Sequence, residues 1–174
     1  MQLEVGCSVV HSLHGVGRVE SLETKELLGK ETRFATISFQ DDRLKIMVNL
    51  DQRNSMLRPL MTSVQVENVL GHMRSHCNEA VVSKSTHRYH LNLQKIKSGD
   101  VTSLCEVIKE LSGLLEEKRL TQKELSMLEQ SRKILASELS EITNRPQEEM
   151  IELICQTCGL NTELATGSAE KVVR

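Results

Sequence analysis

The sequence predicts an α+β fold, in which a small antiparallel β-sheet or β-barrel is followed by a compact all-α region. The hydrophobic period is two residues over 1–60 and becomes helical from about residue 64. Aromatic residues make up only 2% of the 174 residues and Trp is absent, so the cores must consist of aliphatic residues and Met. The predicted parts are a β domain, a helical domain, and a C-terminal helix or flexible tail, over 1–62, 63–145 and 146–174.

Short alternating runs separated by turn residues indicate about five strands in the β domain. The run 18–24 follows a glycine-rich turn at 14–17, and the run 44–50 follows a polar turn at 40–42. The two glycines of the first turn predict a positive φ or a close approach of two backbone segments. A phosphate-binding loop is disfavoured there, because no helix follows the turn.

The second half contains signals for several helices. Short helices are predicted over 64–73 and 86–97, the latter with one apolar face formed by Tyr89, Leu93 and Ile96. Gly99 is expected to end this helix, and Asp100 is expected to cap the next one.

The clearest helix start is the capping box from Thr121 to Glu124. The helix that follows carries one apolar stripe, which should pack against the preceding helix as an antiparallel pair. Its members are Leu125, Leu128, Leu135, Leu139 and Ile142. Arg145-Pro146 should end this helix, 147–156 could form a further one, and the polar residues beyond Gly159 are expected to fray.

An acid-free segment is the most distinctive charge feature of the chain. The net charge is −2, yet residues 80–99 contain no Asp or Glu. Such a basic island on an acidic background indicates contact with a polyanion, although a solvated helix face is an equally good reading of composition alone. Its basic residues are Lys84, His87, Arg88, His90, Lys95 and Lys97.

Other functional classes find little support in the sequence. No apolar run is long enough to span a bilayer and no signal peptide is visible, so we expect a cytoplasmic protein with reduced thiols. The pair Cys155 and Cys158 is only half of a zinc site, and His11 with His14 lacks further ligands. We therefore expect no metal, no cofactor and no enzymatic activity, and leave a small metal- or thiol-dependent enzyme as a minor alternative.

The chain resembles the CarD/CdnL family of bacterial transcription regulators over about residues 3–142. The resemblance rests on a glycine-containing motif in the β domain and on two motifs in the helical domain. These are Val9-Val10-His11 with His14-Gly15-Val16-Gly17-Arg18-Val19-Glu20, then Arg88-Tyr89, and then Lys95-Ile96-Lys97-Ser98-Gly99-Asp100.

The resemblance implies a non-enzymatic regulator of transcription initiation. The β domain would be a Tudor-like module that binds the RNA polymerase β subunit, a type of domain shared with the transcription-repair coupling factor. The helical domain would contact duplex promoter DNA, without sequence specificity, at the upstream edge of the bubble and stabilise the open complex. We expect a monomer that does not bind membranes.

Carried over onto this chain, the resemblance also implies individual contact residues. The polymerase-binding residues would be Lys25, Lys45, Ile46, Met47 and Val48. The DNA-binding residues would be Lys84, Ser85, His87, Arg88, His90, Lys123 and Arg132.

The chain departs from the family pattern at three of these positions. Arg is common in the family where this chain has Lys25 and Met47, and the minor-groove Trp of the family is replaced by Ser85. A small hydroxyl side chain cannot unstack a base step, so any DNA contact should be mostly electrostatic. The alternative is a polymerase-binding adaptor that lacks productive DNA contact and acts through another protein.

Overall fold

Five strands and then five helices follow one another along the chain, which confirms the predicted α+β layout. The computed structural model describes residues 3–27, 29–39, 44–51, 56–74 and 84–159. The strands are β1 (Ser8–His11), β2 (Gly15–Leu27), β3 (Lys30–Phe39), β4 (Leu44–Asn49) and β5 (Leu57–Arg58). The polar turn predicted at 40–42 and the frayed end predicted beyond Gly159 lie outside the described residues.

The five strands form one antiparallel sheet in the order β4-β3-β2-β1-β5. Within the described ranges no ladder joins β4 to β5, so the sheet is open and the closed barrel is not found there. The two outer strands therefore end the sheet on opposite sides.

One face of the sheet carries the smaller of two apolar cores. Val19 on β2 lies opposite Ile37 on β3, and Ile37 lies opposite Ile46 on β4. The alternation that sequence analysis used to predict strands places these side chains on one face, since successive residues of a strand point to opposite sides. The buried members of this core are Val9, Val19, Ala35, Ile37, Phe39 and Val48.

The glycine-rich turn is close to two other parts of the molecule. Gly15 has a φ of 73°, and a Cβ added there would lie 2.5 Å from Oγ of Ser137. A Cβ on Gly17 would lie 2.6 Å from side-chain atoms of both Ile37 and Phe39. The predicted need for glycine is confirmed at both positions, for a positive φ at the first and for close packing at both.

The helices begin and end close to the predicted positions. They are α1 (Ser63–Arg74), α2 (Ser85–Lys97), α3 (Val101–Glu116), α4 (Gln122–Thr143) and α5 (Gln147–Thr157). Asp100 accepts a hydrogen bond from the backbone N–H of Ser103 at 2.7 Å, and both hydrogen bonds of the Thr121–Glu124 capping box are present. No helix in the described part of the chain is both long and apolar enough to cross a membrane.

The helices enclose the larger apolar core, with α4 at its centre. Leu128, Leu135 and Leu139 of the predicted stripe are buried on α4, against residues of α3 such as Ile108 and Leu111. Helix α5 adds further buried side chains to the same core, so the segment after Pro146 packs with the helical domain. Those side chains are Met150 and Ile154, and Cys155 of the same helix is buried as well.

Helix α4 also contacts the sheet, mainly through polar groups. The backbone N–H of Val16 donates to Oγ of Ser137 at 3.3 Å, and Nε2 of Gln130 donates to the carbonyl of Leu13 at 3.1 Å. Leu13 is half-buried against the helical core, whereas the buried residues of the two cores form separate clusters. Hydrogen bonds, together with the packing of Leu13, therefore join the sheet to the helices.

Replacing Gly17 by Ala should destabilise the fold by about 1–3 kcal/mol, because the added methyl overpacks a core that is already filled. The matched control is Gly71→Ala in α1, where an added Cβ meets nothing within 4 Å. That substitution should leave the protein unchanged or stabilise it by up to about 1 kcal/mol, as Ala is a better helix former. Urea unfolding measures both values, and equal stability of the Gly17 variant and wild type would contradict this packing.

Candidate functional site

The beginnings of α2 and α4 are held side by side by a buried ion pair. Nε of Arg88 on α2 donates to Oε1 of Glu124 on α4 at 2.8 Å, and an NH2 nitrogen of the same guanidinium lies 2.7 Å from that oxygen. The two side chains are only 7% and 0% exposed. The pair therefore joins two segments that are 36 positions apart in the sequence.

The Glu124 carboxylate also closes the capping box of its own helix. Its Oε2 accepts hydrogen bonds from the backbone N–H of Thr121 at 3.0 Å and from the Thr121 hydroxyl at 2.8 Å. Burial alone would raise the pKa of this carboxyl, but the hydrogen bonds from Arg88 and Thr121 outweigh burial and hold the pKa below its usual value. Glu124 thus stays ionised and fully bonded inside the protein.

Arg88, one of the predicted DNA contacts, is buried in the protein. Its side chain faces Glu124 in the interior, so its guanidinium is not presented to a phosphate outside. The centre of the acid-free segment is therefore a structural group. Arg88→Glu would place two carboxylates together in the interior. Its effect on DNA binding would therefore reflect loss of folding and would not test a DNA contact.

Arg132, a second predicted DNA contact, is also buried. The residue is 5% exposed, and its NH2 nitrogen donates to Oγ of Ser112 on α3 at 3.0 Å. Its Nε has no hydrogen-bond partner among the described residues. Burial raises the pKa of the Cys155 thiol, and the positive charge of Arg132 partly offsets that rise.

The remaining predicted DNA contacts are at least partly accessible and lie on or next to α2 and α4. Ser85 is half-buried in the first turn of α2, where no acidic side chain occurs and where Lys84 provides no side-chain cap. Lys84 precedes Arg88 by about one turn, and Lys123 is adjacent to Glu124. The exposed members of the set are Lys84, His87, His90 and Lys123.

Two basic residues of this region were not among the predicted contacts. Lys118 and Arg119 are exposed in the turn between α3 and α4, and Lys118 has a φ of 56°. Arg119 pairs with the neighbouring Glu117 at 2.9 Å. The sequence signal for them is the basic dipeptide that precedes the capping box by one residue.

The predicted polymerase-binding residues meet on the sheet at its β4 edge. Nζ of Lys25 lies 3.8 Å from Sδ of Met47, and Lys45 forms an ion pair with Glu20 at 2.7 Å. Lys25, Lys45 and Met47 are exposed, whereas Ile46 and Val48 belong to the core on the opposite face. Lys25 also pairs with Glu23 at 3.0 Å.

The two histidines near the glycine-rich turn form a packed ring cluster. The rings of His11 and His14 lie 4.9 Å apart, and the His11 ring packs edge-on against Phe39 at 5.9 Å. Burial, and then the neighbouring His14, lower the pKa of His11 to about 4, and Nδ1 of His11 accepts the N–H of Leu13 at 3.2 Å. Among the described residues no group of three or more His, Cys, Asp or Glu is placed to hold a metal ion.

Comparison with known families agrees with this two-part architecture. The family model for the CarD-like/TRCF RID domain matches residues 3–61, which contain the sheet, and the model for the CarD C-terminal domain matches residues 68–155. The chain belongs to the CarD family. It is also 27% identical over 140 residues to "Putative transcription factor YdeB" of Bacillus subtilis (strain 168), a match that covers 80% of this chain and 91% of that protein.

In this CarD-family chain, Arg88→Met should reduce the free energy of unfolding by about 3 kcal/mol or more, because it leaves the Glu124 carboxylate buried without its counter-ion. The control is Arg119→Ala, which removes an exposed ion pair and should cost less than about 1 kcal/mol. Chemical denaturation of both variants measures the difference. A loss below that of the control would show that Arg88 is not the structural group inferred from its burial.

Proposed function

We propose that this chain regulates bacterial transcription initiation by binding the RNA polymerase β subunit and promoter DNA together, and so stabilises the open promoter complex. The observation that carries the proposal is the open β4 edge in a module that matches the RID domain model. A Tudor-like relationship of this module is part of the same proposal. The named relative, described as a transcription factor, supports the general class of function.

The β4 edge is suited to binding a strand of a partner protein. Among the described residues β4 pairs only with β3, so its outer side presents backbone N–H and C=O groups. Edge strands are templates for added strands, in which main-chain hydrogen bonds provide affinity and alternate side chains provide specificity. Lys45 and Met47 are the exposed alternate side chains of β4.

The beginnings of α2 and α4 are suited to contact with phosphates. The N-terminus of α2 has no side-chain cap and no acidic residue in its first turn, so it presents free N–H groups and a positive potential. Lys84 adds charge at that end, and the exposed Lys123 adds charge at the capped start of α4. His87 and His90 are further exposed side chains on α2. Such contacts hold the DNA backbone without reading its sequence.

An adaptor without productive DNA contact is the second candidate function. It is favoured by the burial of Arg88 and Arg132, which removes two of the predicted DNA cations from the surface. Ser85 supplies no apolar wedge at the start of α2. Under this alternative the β4 edge would still bind polymerase, and the helical domain would bind another protein.

Lys45→Glu should weaken polymerase binding by about 1 kcal/mol or more, which is roughly fivefold in affinity, because it reverses a charge on the proposed edge. Lys133→Glu on α4 makes the same change in net charge away from that edge and should leave affinity unchanged. Titration of full-length protein against RNA polymerase measures both. Equal losses in the two variants would point to general electrostatics and would count against docking at β4.

DNA binding should depend on salt concentration. The two exposed lysines predict a log–log slope of about −2. Lys84→Glu should weaken binding more than Lys97→Glu at the far end of α2. Fluorescence anisotropy with duplex DNA measures the slopes.

The lifetime of the promoter complex separates the regulator from the adaptor. Ser85→Trp should lengthen this lifetime by adding an apolar wedge at the start of α2, whereas Lys84→Glu should shorten it. If both variants keep the wild-type lifetime while they still bind polymerase, the adaptor is the better description.

A further inference from the structure

We propose that Arg58 and Glu138 are positioning residues that hold the sheet and the helical domain at one fixed orientation, and that this orientation is needed to stabilise the promoter complex. The claim that this orientation stabilises the promoter complex rests on the proposed function. The claim that the two residues fix the orientation concerns the protein alone and can be measured without polymerase or DNA.

Arg58 connects the β5 edge of the sheet to the helices. It lies on β5, where it is the register partner of Val10 on β1. Its two terminal nitrogens bind the two carboxylate oxygens of Glu138 on α4, at 2.5 and 2.6 Å. Its Nε donates to the carbonyl of Gly99, between α2 and α3, at 3.0 Å. One guanidinium therefore fixes a strand, a long helix and the corner between two further helices.

Glu138 receives a third hydrogen bond from the segment that links the two domains. Its Oε1 accepts the backbone N–H of Met61 at 2.8 Å, and the residue is fully buried. A bidentate pair with an arginine has a preferred planar geometry, which restricts the direction as well as the distance of its partners. This carboxylate thus sets the angle at which the chain leaves β5 and enters α1.

A second group of contacts joins α4 to β1, β2 and the turn between them. Ser137 receives the N–H of Val16, Gln130 donates to the carbonyl of Leu13, and the hydroxyl of Ser8 donates to Glu141 at 2.8 Å. From residue 130 to residue 141 the helix rises by roughly 16 Å. Contacts spread over that length, together with the Arg58 pair, oppose both tilting and rotation of α4 against the sheet.

The proposed polymerase-binding surface lies on the sheet, and the proposed DNA-binding surface lies on the helices. The interface between sheet and helices therefore sets the position of one surface relative to the other. The β5 edge carries Arg58 and contacts the helices, whereas the β4 edge is on the opposite side of the sheet. A protein that binds two targets at once gains from an effective concentration that falls when the link between its binding surfaces is loose or misdirected. Fixed orientation would therefore raise the stability of the ternary complex without altering either separate affinity.

The experiment compares wild type, Arg58→Lys and Arg58→Met in full-length protein. Bio-orthogonal spin labels at exposed positions 31 on β3 and 116 on α3 report the distance distribution between the two domains. Arg58→Met should broaden that distribution and shorten the promoter-complex lifetime on the order of threefold to tenfold. Arg58→Lys, which keeps the charge but loses the bidentate geometry, should fall between the other two.

Two further measurements distinguish positioning from simple stabilisation. Affinity for polymerase alone and for duplex DNA alone should stay within about twofold of wild type in both variants, since neither surface contains Arg58. An unchanged distance distribution in Arg58→Met would overturn the positioning role. A broadened distribution with a wild-type lifetime would overturn its functional importance.

A second variant keeps the test valid if Arg58→Met does not fold. The double substitution Ser8→Ala with Gln130→Ala removes two hydrogen bonds at the exposed rim of the interface and should change distance and lifetime in the same direction. Addition of wild-type protein to promoter complexes tests the proposed function separately. If wild-type protein does not lengthen the lifetime, the proposed function fails, and so does the claim that domain orientation stabilises the promoter complex. The distance measurement still decides whether Arg58 fixes the orientation.

Discussion

Two fully buried carboxylates on α4, Glu124 and Glu138, determine how the other elements are arranged. They are 14 positions apart, close to four helical turns, so they lie on one face of the helix. Each accepts a guanidinium and at least one backbone N–H. Because an ionised group in the interior is tolerated only when its bonds are complete, each carboxylate requires its arginine to be in place. The position of α2 depends on the first pair and that of β5 on the second.

Features that depend on neighbours in the sequence were predictable. The cap at Asp100, the capping box at Thr121 and the glycine requirement at Gly15 and Gly17 each follow from local geometry, and all four are observed. The strand alternation and the change to helical period are local in the same sense. The family resemblance, now supported by matches to both domains, added a functional interpretation that these local signals do not contain.

Features that depend on distant partners were not predictable in the same way. The acid-free segment suggested that Arg88 lies on the surface, because its counter-ion is 36 positions away and was interpreted only as a capping residue. Arg132 is similar, since its neighbours belong to α3 and α5. Whether the sheet closes is also decided by strand pairing over a long range. The candidate DNA surface therefore has fewer accessible basic residues than the sequence indicated, and one of the residues predicted to lie on it, Arg88, forms the buried pair with Glu124.

The polar character of the interface between sheet and helices has a thermal consequence. Apolar contacts weaken on cooling, and the cost of removing charged groups from water rises as the temperature falls. The two apolar cores and the Arg58–Glu138 pair therefore change in the same direction with temperature. Cold should loosen the junction between the domains together with the domains themselves.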